Sequence, residues 1–136
     1  MVIKMEKKPS DDMMVMIRAK ELCTLILKVT NNMPKQYRYT LAQRPQNMSM
    51  EIIEYLYMAN EVYVTKDNAN GRYEERRQLK QKALTRVKMV AYFATLALEH
   101  NAILMKQFKS ISSLCHDCQN LIAAWVSTDK KRFGIK

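Results

Sequence analysis

The sequence predicts an all-α protein, an antiparallel up-down four-helix bundle. Three observations carry that expectation. Two glycines and three prolines in 136 residues are too little turn material for a β sandwich or barrel, whose strands need a turn about every 8–12 residues. Met, Leu, Lys, Gln, Glu and Ala are abundant, and all form helices readily. Apolar residues recur at helical spacing through four stretches joined by short links. The length suits a single domain that can bury a core without disulfides or metals. Its expected limits are residues 10–128, preceded by a flexible extension at 1–9 and followed by a frayed basic tail at 129–136.

Ser10-Asp11-Asp12 reads as the start of the first helix. Serine is a favoured N-cap, and two acids in the first turn suit the positive end of the helix dipole. Leu22, Leu25, Ile26 and Val29 form its core stripe, with Met14 and Ile17 continuing it backward. The helix should run to about Thr30, where Asn31-Asn32-Met33-Pro34 closes it.

A second helical region is expected from Lys35 to Lys66, with Ile52, Tyr55, Leu56, Ala59, Val62 and Tyr63 as its apolar stripe. Pro45 interrupts it. An interior proline costs about 3 kcal/mol, so Tyr37–Arg44 is expected as a separate turn or as the bent head of a kinked helix. Asp67-Asn68-Ala69-Asn70-Gly71 is the expected loop before the third helix.

That helix should span Arg72 to Glu99 along Leu79, Ala83, Val87, Val90, Ala94 and Leu98, ending at Asn101. The fourth should span Leu104 to Ser127. Its residues Phe108, Ile111, Cys115, Cys118, Ile122 and Trp125 alternate spacings of three and four, the seam of a bundle.

The formal net charge is +10, from 23 Lys and Arg against 13 Asp and Glu. Nucleic acid, anionic lipid and an acidic protein are the partner classes that such a charge admits, beside a charge that serves solubility alone. Three cysteines, an odd number, argue against a disulfide framework and for a reducing compartment. Val2 and Ile3 are followed at once by Lys4, Glu6, Lys7 and Lys8, which is no signal-peptide core. No apolar run of about 18 residues exists. A cytoplasmic protein without a membrane partner is therefore expected, with translation starting at Met1 or Met5.

Enzyme chemistry finds little support. Cys115-His116-Asp117-Cys118 looks like a redox or metal motif, but it falls mid-helix on the apolar seam. A reactive Cys-x-x-Cys sits at a helix N-terminus, and a structural zinc would need two more ligands, for which only Cys23 and His100 are candidates. Core cysteines are the better reading. The acids Glu51, Glu54, Glu61, Glu74, Glu75 and Glu99 are scattered as on a solvated face, and no Glu-x-x-His pair for a di-iron bundle occurs. Neither a catalytic residue nor a cofactor or metal site is expected.

The basic content is more telling. Helix three carries Arg72, Arg76, Arg77, Lys80, Lys82, Arg86 and Lys88 against Glu74 and Glu75, so two acids face seven cations. Arg72, Arg76 and Lys80 also share the angular register of Val87, Ala94 and Leu98. Either this end of the helix projects beyond the core, or its charge faces a subunit or a ligand. With Arg38 and Arg44, these residues are candidates for a surface that tracks phosphates rather than reading bases. Tyr37 and Tyr39 can stack on exposed bases or be buried. The remaining possibility is a solvated face with i,i+4 pairs.

The segment Pro34-Lys35-Gln36-Tyr37-Arg38-Tyr39-Thr40-Leu41-Ala42-Gln43-Arg44 resembles the Pro-Lys-x-Tyr-Arg-[Tyr/Phe]-x-Leu-Gly-x-[Arg/Lys] pattern of a small bacterial and phage family. These are the accessory variability determinant proteins of diversity-generating retroelements. They lie within a wider four-helix-bundle group that includes proteins encoded in intervening sequences of large-subunit ribosomal RNA genes. Met58-Ala59-Asn60, the basic start of helix three and Leu121-Ile122-Ala123-Ala124-Trp125 add to the resemblance, which covers about residues 14–127. Pro45 stands where an aliphatic residue is usual, and Ala123-Ala124 replaces a glycine-rich step.

The resemblance implies a non-catalytic basic protein that assembles as a ring-like homopentamer. It implies binding to RNA or DNA and to a reverse transcriptase, in support of mutagenic retrohoming of cDNA. It also places nucleic-acid and polymerase contacts on the helix-three cations and a subunit or partner surface on Tyr37–Arg44. The alternative from sequence is an interaction scaffold that docks an acidic protein and binds no nucleic acid.

Overall fold

A computed structural model describes residues 10–65, 67 and 69–135. The expected extension at 1–9 lies outside the described residues, as do positions 66 and 68 of the expected loop and the last residue of the tail. Four α-helices make up the fold, with no strand among the described residues: α1 (Asp11–Asn31), α2 (Gln43–Glu61), α3 (Ala69–Glu99) and α4 (Met105–Arg132). Each helix packs on two others in a closed cycle, α1 on α2 and α4, and α3 on α2 and α4. One core fills the centre, built on Val15, Leu22 and Ile26 of α1, Ile52 and Leu56 of α2, Val87 and Val90 of α3, and Ile111, Cys118 and Ile122 of α4. Burying each such aliphatic side chain is worth about 1.5–3 kcal/mol, so this cluster dominates the stability.

On α1 the core face runs through Val15, Ala19, Leu22, Ile26 and Val29. Ile17, expected on the stripe, is 40% exposed, because Ala19 and Val15 hold the core-facing angle one and two turns back from Leu22. Ser10 precedes the helix with extended backbone but makes no side-chain cap bond. Instead, Asp11 accepts a 2.7 Å hydrogen bond from the Thr128 hydroxyl, which ties the start of α1 to the end of α4.

The segment around Pro45 takes a form the sequence left open. Lys35–Tyr37 is a single 3-10 turn and Arg38–Ala42 a π-helical turn, after which α2 begins. The Gln43 N–H donates five residues back to the Arg38 carbonyl. Pro45 thus enters in the first turn of α2, behind a widened turn, where the missing donor and the ring are tolerated. Helix two is accordingly shorter than the expected Lys35–Lys66. After Glu61 the chain is irregular through Thr65, and Tyr63, expected on the stripe, is 75% exposed.

Helix α3 begins at Ala69, inside the expected loop, and ends as expected at Asn101. That residue has φ 57°. Ala102 N–H donates to the Ala97 carbonyl at 2.8 Å and Asn101 N–H to the Leu98 carbonyl at 3.0 Å. This is a Schellman cap with asparagine in the left-handed position.

Helix α4 departs most from expectation. It continues to Arg132, so the expected boundary at 128/129 falls inside the helix and the tail is ordered through Ile135. Gly134, at φ 65°, supplies the left-handed residue of a second Schellman cap: Ile135 N–H donates to Lys130 O and Gly134 N–H to Lys131 O. Phe133 and Ile135 then pack on Val62, Val64 and Tyr73 as a satellite cluster. Lys130, Lys131 and Arg132 occupy the last turn, where cations favour the negative end of the dipole.

Candidate functional site

The helix-three cations divide into three groups. Arg76 and Lys80, expected on a phosphate-tracking surface, are interior: 7% and 1% exposed. Both meet Asp129 of α4, itself 2% exposed. Lys80 Nζ donates to Asp129 Oδ2. Arg76 donates from Nε to the same oxygen and from Nη2 to Oδ1 at 3.2 Å, a two-pronged grip that suits a guanidinium. Its Nη1 donates to the carbonyls of Ala59 and Val62, so Arg76 also caps the negative end of α2.

Trp125, one turn before Asp129, lies beneath both cations. Lys80 Nζ is 3.9 Å from the ring centroid and Arg76 Cζ is 5.1 Å. Unpaired charges would cost several kcal/mol each to bury. The shared carboxylate, the helix carbonyls and the aromatic face offset that cost. Burial still pushes the Lys80 ammonium down to about 8. The Asp129 hydrogen bond and charge oppose that shift, while Arg76 adds to it. The burial reverses the surface role expected of these two residues: their donors face protein groups.

Arg72, Arg77 and Arg86 form the second group, and acids hold all three. Arg72 pairs with Glu75 at 2.8 Å and Arg77 pairs with Glu74 through two nitrogens; the Arg77 hydrogen bond holds the Glu74 carboxyl below its usual range. Arg86 reaches Glu51 of α2 at 3.5 Å and lies 5.8 Å from the Tyr55 ring. Lys82, exposed and also 5.8 Å from Tyr55, and Lys88, exposed, form the third group. Among the described residues neither has a carboxylate partner.

A second set of unpaired cations lies elsewhere. The chain has no Asp or Glu from residue 28 to 50, nor from 100 to 116. The structure brings these two stretches to one end of the fold. Tyr37 donates from its hydroxyl to the His100 carbonyl at 3.4 Å, and the two rings lie 6.4 Å apart. Within the first stretch Gln46 donates to the Thr30 hydroxyl at 2.7 Å. In these two stretches Lys35, Arg38, Arg44, Lys106 and Lys109 are all exposed. None has a carboxylate partner among the described residues. Arg38 and Arg44 of the expected site flank the Tyr37–His100 contact in sequence, at the other end of α3 from Arg72. Tyr39, 72% exposed, and Leu104, 68% exposed, belong to the same two stretches.

The cysteines belong to the core. Cys115 and Cys118 are 1% and 0% exposed, and burial pushes each thiol up to about 12. Cys23 is buried too and accepts a hydrogen bond from the Ser49 hydroxyl. Among the described residues, no three His, Cys, Asp or Glu side chains gather as metal ligands would. No helix among them is long and apolar enough to cross a membrane.

Sequence reasoning missed Asp129, which it assigned to the tail. The signal was present, since Asp129 continues the seam of Ile111, Cys115, Cys118, Ile122 and Trp125 by one further step of four. No protein-family model matches this chain, and neither a curated protein nor a solved structure matches it.

Proposed function

We propose that this chain is a non-catalytic nucleic-acid-binding protein, an accessory to a reverse transcriptase in a diversity-generating retroelement. In this reading it is an antiparallel up-down bundle that assembles into a ring-like homo-oligomer, a pentamer by resemblance, and works in the cytoplasm. The observation that carries the binding is the junction at Tyr37 and His100, where two acid-free stretches present Lys35, Arg38, Arg44, Lys106 and Lys109 without carboxylate partners. Long flexible cations around an exposed Tyr39 suit a sugar–phosphate backbone with one stacked base, and they carry no sequence readout. Lys82 and Lys88 on α3 are further unpaired cations, apart from this junction; Arg72, Arg77 and Arg86 add to them only by exchanging Glu75, Glu74 and Glu51 for phosphate.

The test is titration of a structured RNA between about 50 and 200 mM salt, where the slope of log affinity against log salt is about −0.9 per phosphate contact. The Lys35→Glu/Arg38→Glu variant is expected to bind more weakly and to flatten that slope by about two contacts. Lys82→Glu/Lys88→Glu should do less. Wild-type protein that does not bind RNA or DNA at the lowest salt would overturn the reading in favour of a scaffold for an acidic protein. A reverse transcriptase encoded beside this gene, co-purifying with the chain, tests the partner.

A further inference from the structure

A cavity of about 410 Å3 opens at the other end of α1 and α4 from the basic junction. Its size falls among small-molecule sites, which span roughly 300–1,000 Å3. Asp12 enters it from the first turn of α1, Asn60 and Glu61 from the end of α2, and Trp125 and Phe133 from the end of α4. We infer that this cavity binds a nucleobase, with guanine preferred.

The walls are held in place before any ligand arrives. Arg76 is fixed by Asp129 and by the carbonyls of Ala59 and Val62, so it is wall rather than ligand contact. Tyr73 meets the Phe133 ring edge-on, 6.4 Å between centroids, and Arg76 and Arg132 lie 6.0 and 5.2 Å from that ring. Trp125 is 3% exposed and carries Lys80 and Arg76 over its ring, so half-buried Phe133 is the aromatic surface that a flat heterocycle meets.

The polar groups name the base. Among the described residues, Asp12, Asn60, Glu61 and Arg132 make no side-chain hydrogen bond or ion pair, although all four line the cavity and the Asp12 charge also acts on the buried Lys80. Two carboxylates call for donors. A cationic ligand would meet Arg76 and Arg132 beside the same ring, so neutral donors fit better. Guanine presents N1–H and N2–H2 side by side, matching the two oxygens of one carboxylate. On the corresponding edges adenine, cytosine and uracil each place a donor next to an acceptor, and the acceptor would face the carboxylate. Arg132, exposed at the mouth, is placed to take a 5′-phosphate.

This inference goes beyond the phosphate surface and does not depend on it. Trp125 is the single tryptophan of the chain and lines the cavity, so its fluorescence reports occupancy, with calorimetry as the second readout. GMP is expected to give a saturable signal at least about tenfold tighter than AMP, since the mismatched edge leaves a carboxylate opposite an acceptor. Glu61→Gln or Asp12→Asn, each shown folded by circular dichroism, should remove that preference. Arg132→Gln should narrow the gap between GMP and guanosine.

A guanine-containing single strand that binds more tightly than GMP and competes with it identifies the ligand as a base within a strand; GMP binding alone identifies a free nucleotide. Equal binding of AMP and GMP, or no calorimetric signal with GMP and with the guanine-containing strand, overturns the inference. Lys35→Glu/Arg38→Glu should leave GMP binding unchanged, and Glu61→Gln should leave the salt slope for RNA unchanged. The two readings therefore fail separately.

Discussion

Lys80 and Asp129, 49 residues apart in sequence, form an ion pair inside the protein, where neither side chain is more than a few per cent exposed. Arg76 shares the carboxylate, so one acid answers two cations. Buried pairs add little stability over apolar replacements, but removal of one partner leaves an uncompensated charge. Those two rules separate the predictions for these residues.

Asp129→Ala strips both cations of their partner and should destabilise the fold by about 3–5 kcal/mol. Lys80→Met retains the stem volume and leaves Arg76 with Asp129 in a one-to-one pair. It should be near neutral or stabilising, whereas Arg76→Met also uncaps α2 and should cost more. Urea midpoints of the three variants give the order.

The pH response follows from the Lys80 shift. In the unfolded chain the ammonium titrates near 10.5; in the fold it does so at about 8. Between those values the unfolded state holds the extra proton, so raising the pH favours the folded state. Stability should rise by about 2 kcal/mol from pH 7 to 9.5 through this group. Burial raises the Tyr73 pKa, and its contribution is lost only as the pH climbs past the ordinary tyrosine value. Wild type minus Lys80→Met, measured by denaturant unfolding across that window, isolates the lysine. A flat difference would refute the shift.

Asn101 carries the left-handed turn between α3 and α4 at φ 57°. Asn101→Gly should be neutral or slightly stabilising, and Asn101→Ala should cost about 1 kcal/mol, because a Cβ is strained there without a local polar partner. Thermal midpoints of the two variants should move in opposite directions or differ by several degrees.

Cys115 and Cys118 are buried with thiols pushed up to about 12. Native protein should therefore resist iodoacetamide at neutral pH, and labelling should track unfolding in urea. Rapid labelling without denaturant would show that the middle of α4 opens locally.

Much of this molecule was legible in the chain. Helical spacing located all four helices, and the α4 seam of Ile111, Cys115, Cys118, Ile122 and Trp125 is buried as its period requires. Asn101 ends α3 because asparagine tolerates the left-handed cap. The bend before Pro45 was also foreseeable, although its resolution into a 3-10 and a π turn depended on how Leu41 and Ala42 reach the core.

What the chain by itself determined was where helices run and which stripe of each is apolar, since both follow from local backbone preference and a 3.6-residue period. Which charges are surface was decided by tertiary structure. Arg76 and Lys80 continue the core line of Ala83, Val87, Val90 and Ala94, and a cation on such a line is stable only if another helix brings an acid to it. Asp129 arrives because α4 runs on to Arg132, held by the Gly134 cap and by Phe133 and Ile135 packed under Tyr73. The same cations would belong to the surface if α4 stopped at Ser127. Pairing across helices is a property of the packed whole, because the cost of a buried charge depends on what stands opposite it.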